Sequence, residues 1–173
     1  MTCRERLEAY LQANGVQFRV YEHAAAYTAQ AVAEREHIPH KLMAKVVVVV
    51  ADGQLVMLVL PTSRRVDLAK VSALLNAREV RLASEAELAM AFPDCEIGAT
   101  PPFSNGYNLP LYADRSLEDE PILFFQAGSH SVAMSIAFAD YVRLAQPRLA
   151  DFVAEHRRLA PVGYDDVHEM GGW

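Results

Sequence analysis

A chain of 173 residues, 52% hydrophobic and 22% charged, is long enough to bury one ordinary core and offers no sign of a second. A net charge of −6 excludes a protein whose affinity rests on a broad basic surface, and so argues against DNA as a partner. No apolar run reaches the ~18 to 20 residues that cross a bilayer, the N-terminus is charged where a signal peptide is apolar, and Cys3 and Cys95 are too few for a disulfide framework. The expectation is a cytoplasmic protein with no membrane partner and two reduced thiols.

In chain order, Thr2 and Glu5 form a capping box, Leu7, Tyr10 and Leu11 recur at helical spacing and Gly15 closes the pattern, which predicts a helix over 3–14. "VQFRVYEH" alternates like a half-buried strand, and "YTAQAVAEREH" predicts a helix with Thr28 as its N-cap, ended by Pro39. Val46 to Val50 and Leu55 to Leu60 flank Asp52-Gly53, a strong hairpin signal, and their consecutive apolar residues predict burial on both faces. Asp67 caps a helix with Leu68, Val71, Leu74 and Leu75 on one side; Ser84 with Glu87 caps another with Leu88, Ala91 and Phe92 inward.

"PLYAD", "PILFFQAG" and "HSVAMSIAF" read as three further strands, and a last helix is predicted over 148–158 with Leu149, Phe152 and Val153 on one side. The tail 159–173 shows no periodicity and is expected to be loosely held. Interleaved elements with a hairpin and closely spaced late strands predict a mixed α/β fold: a curled, partly barrel-like sheet with peripheral helices, one domain over 1–158.

Three places could carry chemistry. Lys45 opens a doubly buried strand; its ammonium either snorkels from the strand end or reaches a partner or ligand, because an unpaired charge in an apolar interior is costly. The stretch "IGATPPFSNGYNLPLY" packs Gly98, Pro101, Pro102 and Gly106 into nine residues, either as a rigid connector or as a loop whose exposed amides hold an anion. His130 follows Gly128-Ser129 at a strand junction, where it either satisfies a backbone carbonyl or faces a cavity as a proton donor or acceptor. His37 and His40 are separated by a helix-breaking proline and no carboxylate completes a zinc site, so neither a metal nor a cofactor is expected.

Taken together, "YEHAAAYTAQAVAEREHIP", "AKVVVV", "VLPTSRRVDLAKV", "GATPPF" and "FFQAGSHSVAMSIAFADYVRLAQP", in that order, resemble the YbaK/aminoacyl-tRNA synthetase-associated domain family, the prolyl-tRNA editing domains. The resemblance covers about residues 15–148 and implies hydrolysis of amino acids wrongly esterified to tRNA, most of all tRNA(Pro) carrying Ala or Cys. It implies that Lys45 engages the tRNA 3′ end or the aminoacyl group, that the backbone of Gly98, Ala99, Thr100, Pro101 and Pro102 lies at the ester, and that Gly128, Ser129 and His130 position the substrate.

Such a reaction needs a positioned water and donors for the oxyanion, not a covalent nucleophile, and amides from Gly98 to Thr100 are the expected donors. The implied partners are the tRNA acceptor end and prolyl-tRNA synthetase, with Lys41, Lys45, Arg64, Arg65 and Lys70 as a local basic rim. "PPFSNG" departs from the family's common "PPFG". The alternative class is a non-catalytic module that keeps the fold and binds tRNA or a synthetase.

Overall fold

The first helix, α1 (Cys3–Ala13), shows how local signals set most elements: the Thr2 hydroxyl accepts the Glu5 amide and the Glu5 carboxylate accepts the Thr2 amide. The structure, a computed structural model, describes residues 1–23 and 29–155. Strand β1 (Phe18–Glu22) is followed by helix α2 (Ala29–Arg35), whose expected cap Thr28 lies outside the described residues.

Strands β2 (Ala44–Ala51) and β3 (Gln54–Pro61) form the expected hairpin, with Asp52 and Gly53 both left-handed at φ 47° and 85°, as the twist of a two-residue turn demands. The Asp52 carboxylate accepts the Arg78 and Glu79 amides and so draws in a strand the sequence did not announce, β4 (Val80–Leu82). Along the hairpin, Val48, Val50, Met57 and Val59 join one apolar cluster while Val47, Val49, Val56, Leu58 and Leu60 join another on the opposite face. Burial on both faces is as expected.

Helix α3 (Leu68–Leu75) is capped by Asp67 and α4 (Glu85–Ala91) by Ser84 with Glu87. In α3 only Val71 is buried; Leu68 and Leu74 are exposed. Strand β5 (Leu111–Asp114) leads through a 3-10 turn (Arg115–Asp119) to β6 (Ile122–Ser129) and β7 (Val132–Ala137). The last of these stops at Ala137, where helix α5 (Phe138–Ala145) begins, burying Phe138, Tyr141 and Leu144 on one face. The expected strand ran one residue too far and the helix was missed, because short apolar runs do not tell strand from helix.

The helix expected over 148–158 is not formed in the described part. Residues Arg148–Ala150 are instead strand β8, paired parallel with β5, and Val153 bridges Val66. The open edge of β5 supplies the backbone partners that a helix would have supplied internally, and Phe152 is buried beside it. Residues 156–158 and the tail 159–173 lie outside the described residues.

The sheets are β1-β7-β6, antiparallel throughout, and β4-β2-β3-β5-β8, parallel at β3-β5 and β5-β8. A parallel bridge between Met43 and Phe124 joins them, so the fold is mixed as expected but the sheet does not close into a barrel.

Candidate functional site

The turn between β6 and β7 and the loop after α4 are built as one unit. A bulge between Gln126 and Ser129 places Gly128 at φ 92°, and a Cβ there would lie 2.7 Å from the Cys3 Sγ. Only glycine fits that contact. The Gly128 amide donates to the Ala99 carbonyl at 2.8 Å, and its carbonyl accepts the Glu96 amide at 2.9 Å. His130 donates its amide to the Glu96 carboxylate at 3.0 Å and its Nε2 to the Ile97 carbonyl at 2.7 Å. The ring lies 3.5 Å from the place a Gly98 Cβ would take, and Gly98 itself is left-handed at φ 85°. Four of the expected site residues, Gly98, Ala99, Gly128 and His130, are thus brought together, and His130 does satisfy a backbone carbonyl. The Ser129 hydroxyl bonds that of Ser131 at 2.9 Å.

One expectation for the loop changes. The Ala99 amide is spent on the Glu96 carbonyl at 3.0 Å, which closes the turn. Among the described residues, the Gly98 and Thr100 amides have no protein acceptor, so they are the donors left for a ligand. Pro101 and Pro102 are buried, and Phe103 anchors the loop by edge-on contacts with Phe125 and Tyr141, at 5.8 and 5.3 Å.

The buried Tyr141 hydroxyl donates to the Pro102 carbonyl at 2.8 Å, a support that sequence reasoning missed because it lies on the overlooked α5. Tyr141→Phe is expected to leave that buried carbonyl without a donor and to lower stability by about 1 to 3 kcal/mol in urea unfolding; an unchanged midpoint would dismiss the contact.

Lys45 sits opposite Leu60 on β2 and is half-buried. Strand alternation puts Met43, Lys45 and Val47 on one face. Met43 belongs to the apolar cluster of Val32, Ala33, Ile38 and Ala133, and Val47 to the cluster of Leu60 and Val71, so the lysine marks the gap between two dry patches. From the Met43–Phe124 bridge, two further residues along each parallel strand reach Lys45 and Gln126, on that same face. Gln126 is 4% exposed, and its side-chain Nε2 has no acceptor among the described residues.

Burial, and then the nearby charge of Arg65, hold the Lys45 ammonium below its ordinary pKa. No carboxylate among the described residues pairs with it. An anion placed there would offset both penalties.

Three of the five residues expected in the basic rim have side-chain partners within the fold. Lys41 pairs with Glu120 at 3.3 Å; Lys70 donates to the Val153 carbonyl at 2.9 Å, and Arg64 to the Ala154 carbonyl at 3.2 Å. Arg64 and Lys70 therefore tie down the segment after β8. The Arg65 charge lies close enough to Lys45 to lower its pKa, and the Arg65 carbonyl accepts the Ala154 amide at 2.8 Å.

A mixed two-sheet fold with a partly desolvated amine, unspent loop amides and a buried carboxamide whose Nε2 has no acceptor among the described residues offers candidate groups for an anionic, carbonyl-bearing ligand. The aminoacyl-tRNA editing domain family matches residues 23–144, and the chain belongs to it. It is an editing hydrolase with aminoacyl-tRNA as its substrate.

The Multifunctional Ser/Thr-tRNA deacylase ProXp-y of Escherichia coli (strain K12) is 33% identical over 159 residues, 86% of this chain and 91% of that protein. A candidate trans-editing enzyme for prolyl-tRNA synthetase has the same fold, with a TM-score of 0.79 at 22% identity over 90% of this chain and 99% of that one. A second solved structure, of a hypothetical protein, gives a TM-score of 0.78 at 20% identity over 86% of this chain and 99% of that one. No helix among the described residues is long and apolar enough to cross a membrane.

Proposed function

We propose that this chain hydrolyses the ester joining a small amino acid, serine or threonine foremost, to the 3′ end of a tRNA that should not carry it. The observation that carries the reading is the β2–β6 face, where a partly desolvated Lys45 and a buried Gln126, whose Nε2 has no acceptor among the described residues, share one side. Lys45 and Arg65 hold the terminal phosphate or the aminoacyl group, the Gly98 and Thr100 amides receive the oxyanion, and Pro101, Pro102, Ser129 and His130 keep that loop and turn in register. The Gln126 amide reads the side-chain hydroxyl. The name of the 33% identical relative supports serine and threonine. A site built to bond a hydroxyl rejects an analogue without one far more strongly than a pocket that measures a methylene.

The test is deacylation of Ser-, Thr-, Ala- and Cys-tRNA(Pro) against correctly charged Pro-tRNA(Pro). Serine and threonine should be released fastest, and Gln126→Met should cut their rates at least ~10-fold while sparing alanine. Preference for Ala- or Cys-tRNA(Pro), which the sequence resemblance favours, would remove Gln126 from the reading. Binding without turnover would make the chain a non-catalytic tRNA module.

The two neighbouring arginines give a second test. Arg65→Glu is expected to weaken tRNA binding and flatten the salt dependence of log K by about one phosphate contact. Arg64→Glu should instead lower stability through the lost Ala154 contact. An unchanged salt slope for Arg65→Glu would take it out of the interface.

A further inference from the structure

The clearest feature outside that site is the contact between α1 and the turn after α4. Both cysteines are free thiols, Cys3 buried and Cys95 half-buried, and their sulfurs lie 2.7 Å apart. That is far inside ordinary contact between two sulfurs and roughly 0.7 Å beyond the ~2.05 Å of a disulfide bond. Around them, Arg6 reaches the Asp94 carboxylate at 2.6 Å and the Tyr107 hydroxyl at 2.5 Å, Tyr107 donates to Asp94 at 3.0 Å, and its hydroxyl lies 3.5 Å from the Cys95 sulfur. Both cysteines line an open cleft of about 760 Å³, along with Asp94, Glu96, Gly128 and Ser129, so a small oxidant can reach them.

We propose that Cys3 and Cys95 are a redox modification site, forming a reversible intramolecular disulfide on exposure to hydrogen peroxide. In the first step a Cys3 thiolate attacks one peroxide oxygen: an S–O bond forms, the O–O bond breaks, and the departing hydroxide takes up a proton as water. In the second, Cys95 as thiolate attacks the sulfenic sulfur: the S–S bond forms, the S–O bond breaks, and a second water leaves. Two thiols and one peroxide thus give one disulfide and two waters, the sulfurs losing the two electrons that the peroxide gains.

The surroundings suit this order. The Cys95 S–H donates to Cys3 and, with Arg6 beside it, holds the Cys3 thiol below its ordinary pKa against the opposing effect of burial. The bond would staple α1 to the turn that holds His130, because Cys95 precedes Glu96 and Ile97, the two residues His130 bonds, and Cys3 lies against Gly128.

Intact protein treated with hydrogen peroxide, then alkylated and digested, tests the proposal without any activity assay. The expected result is loss of both alkylable thiols, a monomer lighter by two hydrogens, a Cys3–Cys95 linked peptide, and reversal by dithiothreitol. The unfolding midpoint of the oxidised form should rise by on the order of 10 °C, since the bond closes most of the chain into a loop. Amide exchange over residues 94–99 should slow at least ~10-fold. Cys95→Ser should stop at a dimedone-reactive sulfenic acid on Cys3. Two thiols still alkylated after peroxide, sulfinic acid on either cysteine, or disulfide-linked dimers would overturn it. So would stoichiometric zinc binding by the reduced protein that shields both thiols, which would make Cys3, Asp94 and Cys95 a metal site instead.

Discussion

Replacing Lys45 by methionine is expected to make the protein more stable and nearly inactive at once. Methionine keeps the apolar stem between the two dry clusters and removes a charge that has neither a carboxylate partner among the described residues nor full access to water. Removing such a charge should raise the unfolding free energy by about 1 kcal/mol. Loss of the amine proposed to hold the substrate should lower kcat/KM at least ~100-fold.

The pH dependence follows from the direction of the Lys45 shift. Its folded pKa lies below its unfolded value, so at low and neutral pH the folded protein carries the ammonium at a cost. As pH rises through the folded pKa toward the ordinary lysine value, the folded state gives up a proton that the unfolded state keeps, and wild-type stability gains on the variant. The gap between the two should therefore be widest at neutral pH and narrow in mildly alkaline buffer. Urea unfolding of both proteins at the two pH values checks this; equal stability at neutral pH would mean that the amine is well solvated.

Gly128→Ala should have the largest effect on folding. The added Cβ meets the Cys3 Sγ at 2.7 Å and the Cys3 Cβ at 2.8 Å, and it must also adopt φ 92°, where L residues are strained. Neither α1 nor the bulge can retreat easily, because the Gly128 amide and carbonyl are both committed to the 96–99 turn. Overpacking and strain together should cost about 2 to 4 kcal/mol. Gly98→Ala is the control: it shares the left-handed backbone, but its Cβ would sit in ordinary contact, 3.5 Å from the His130 ring, so strain alone, about 1 kcal/mol, is expected. If urea unfolding ranks the two equally, the close approach of α1 is not what keeps residue 128 a glycine.

The limits of the sequence reading fall at particular residues. Lys45 could be singled out because its five following valines announce a buried strand, and the 98–102 loop because glycine and proline forbid regular structure there. Tyr141 could not, since its role depends on a carbonyl far away in the chain and on a helix hidden in an apolar run. Gln126 carried no local mark at all: it reads as one polar residue in a strand, and only the placing of β6, paired with β7 and bridged to Met43, shows it to be buried with a side-chain Nε2 that has no acceptor among the described residues. Arg64 and Arg65 are neighbours of one residue type, yet the Arg64 guanidinium bonds the segment after β8 while the Arg65 charge lies close enough to Lys45 to lower its pKa.

What this sequence determines by itself is local: the caps at Thr2, Asp67 and Ser84, the Asp52-Gly53 turn and the alternation of the hairpin are settled by hydrogen bonds and backbone conformations a few residues apart. Tertiary structure alone decided that 148–150 is a strand rather than a helix, that Cys3 meets Cys95, and that Lys45 lies in a gap between clusters. Each of those outcomes depends on a partner brought in by the topology, and the free energy of burying or pairing a group is fixed by that partner, which a reading of neighbours along the chain does not contain.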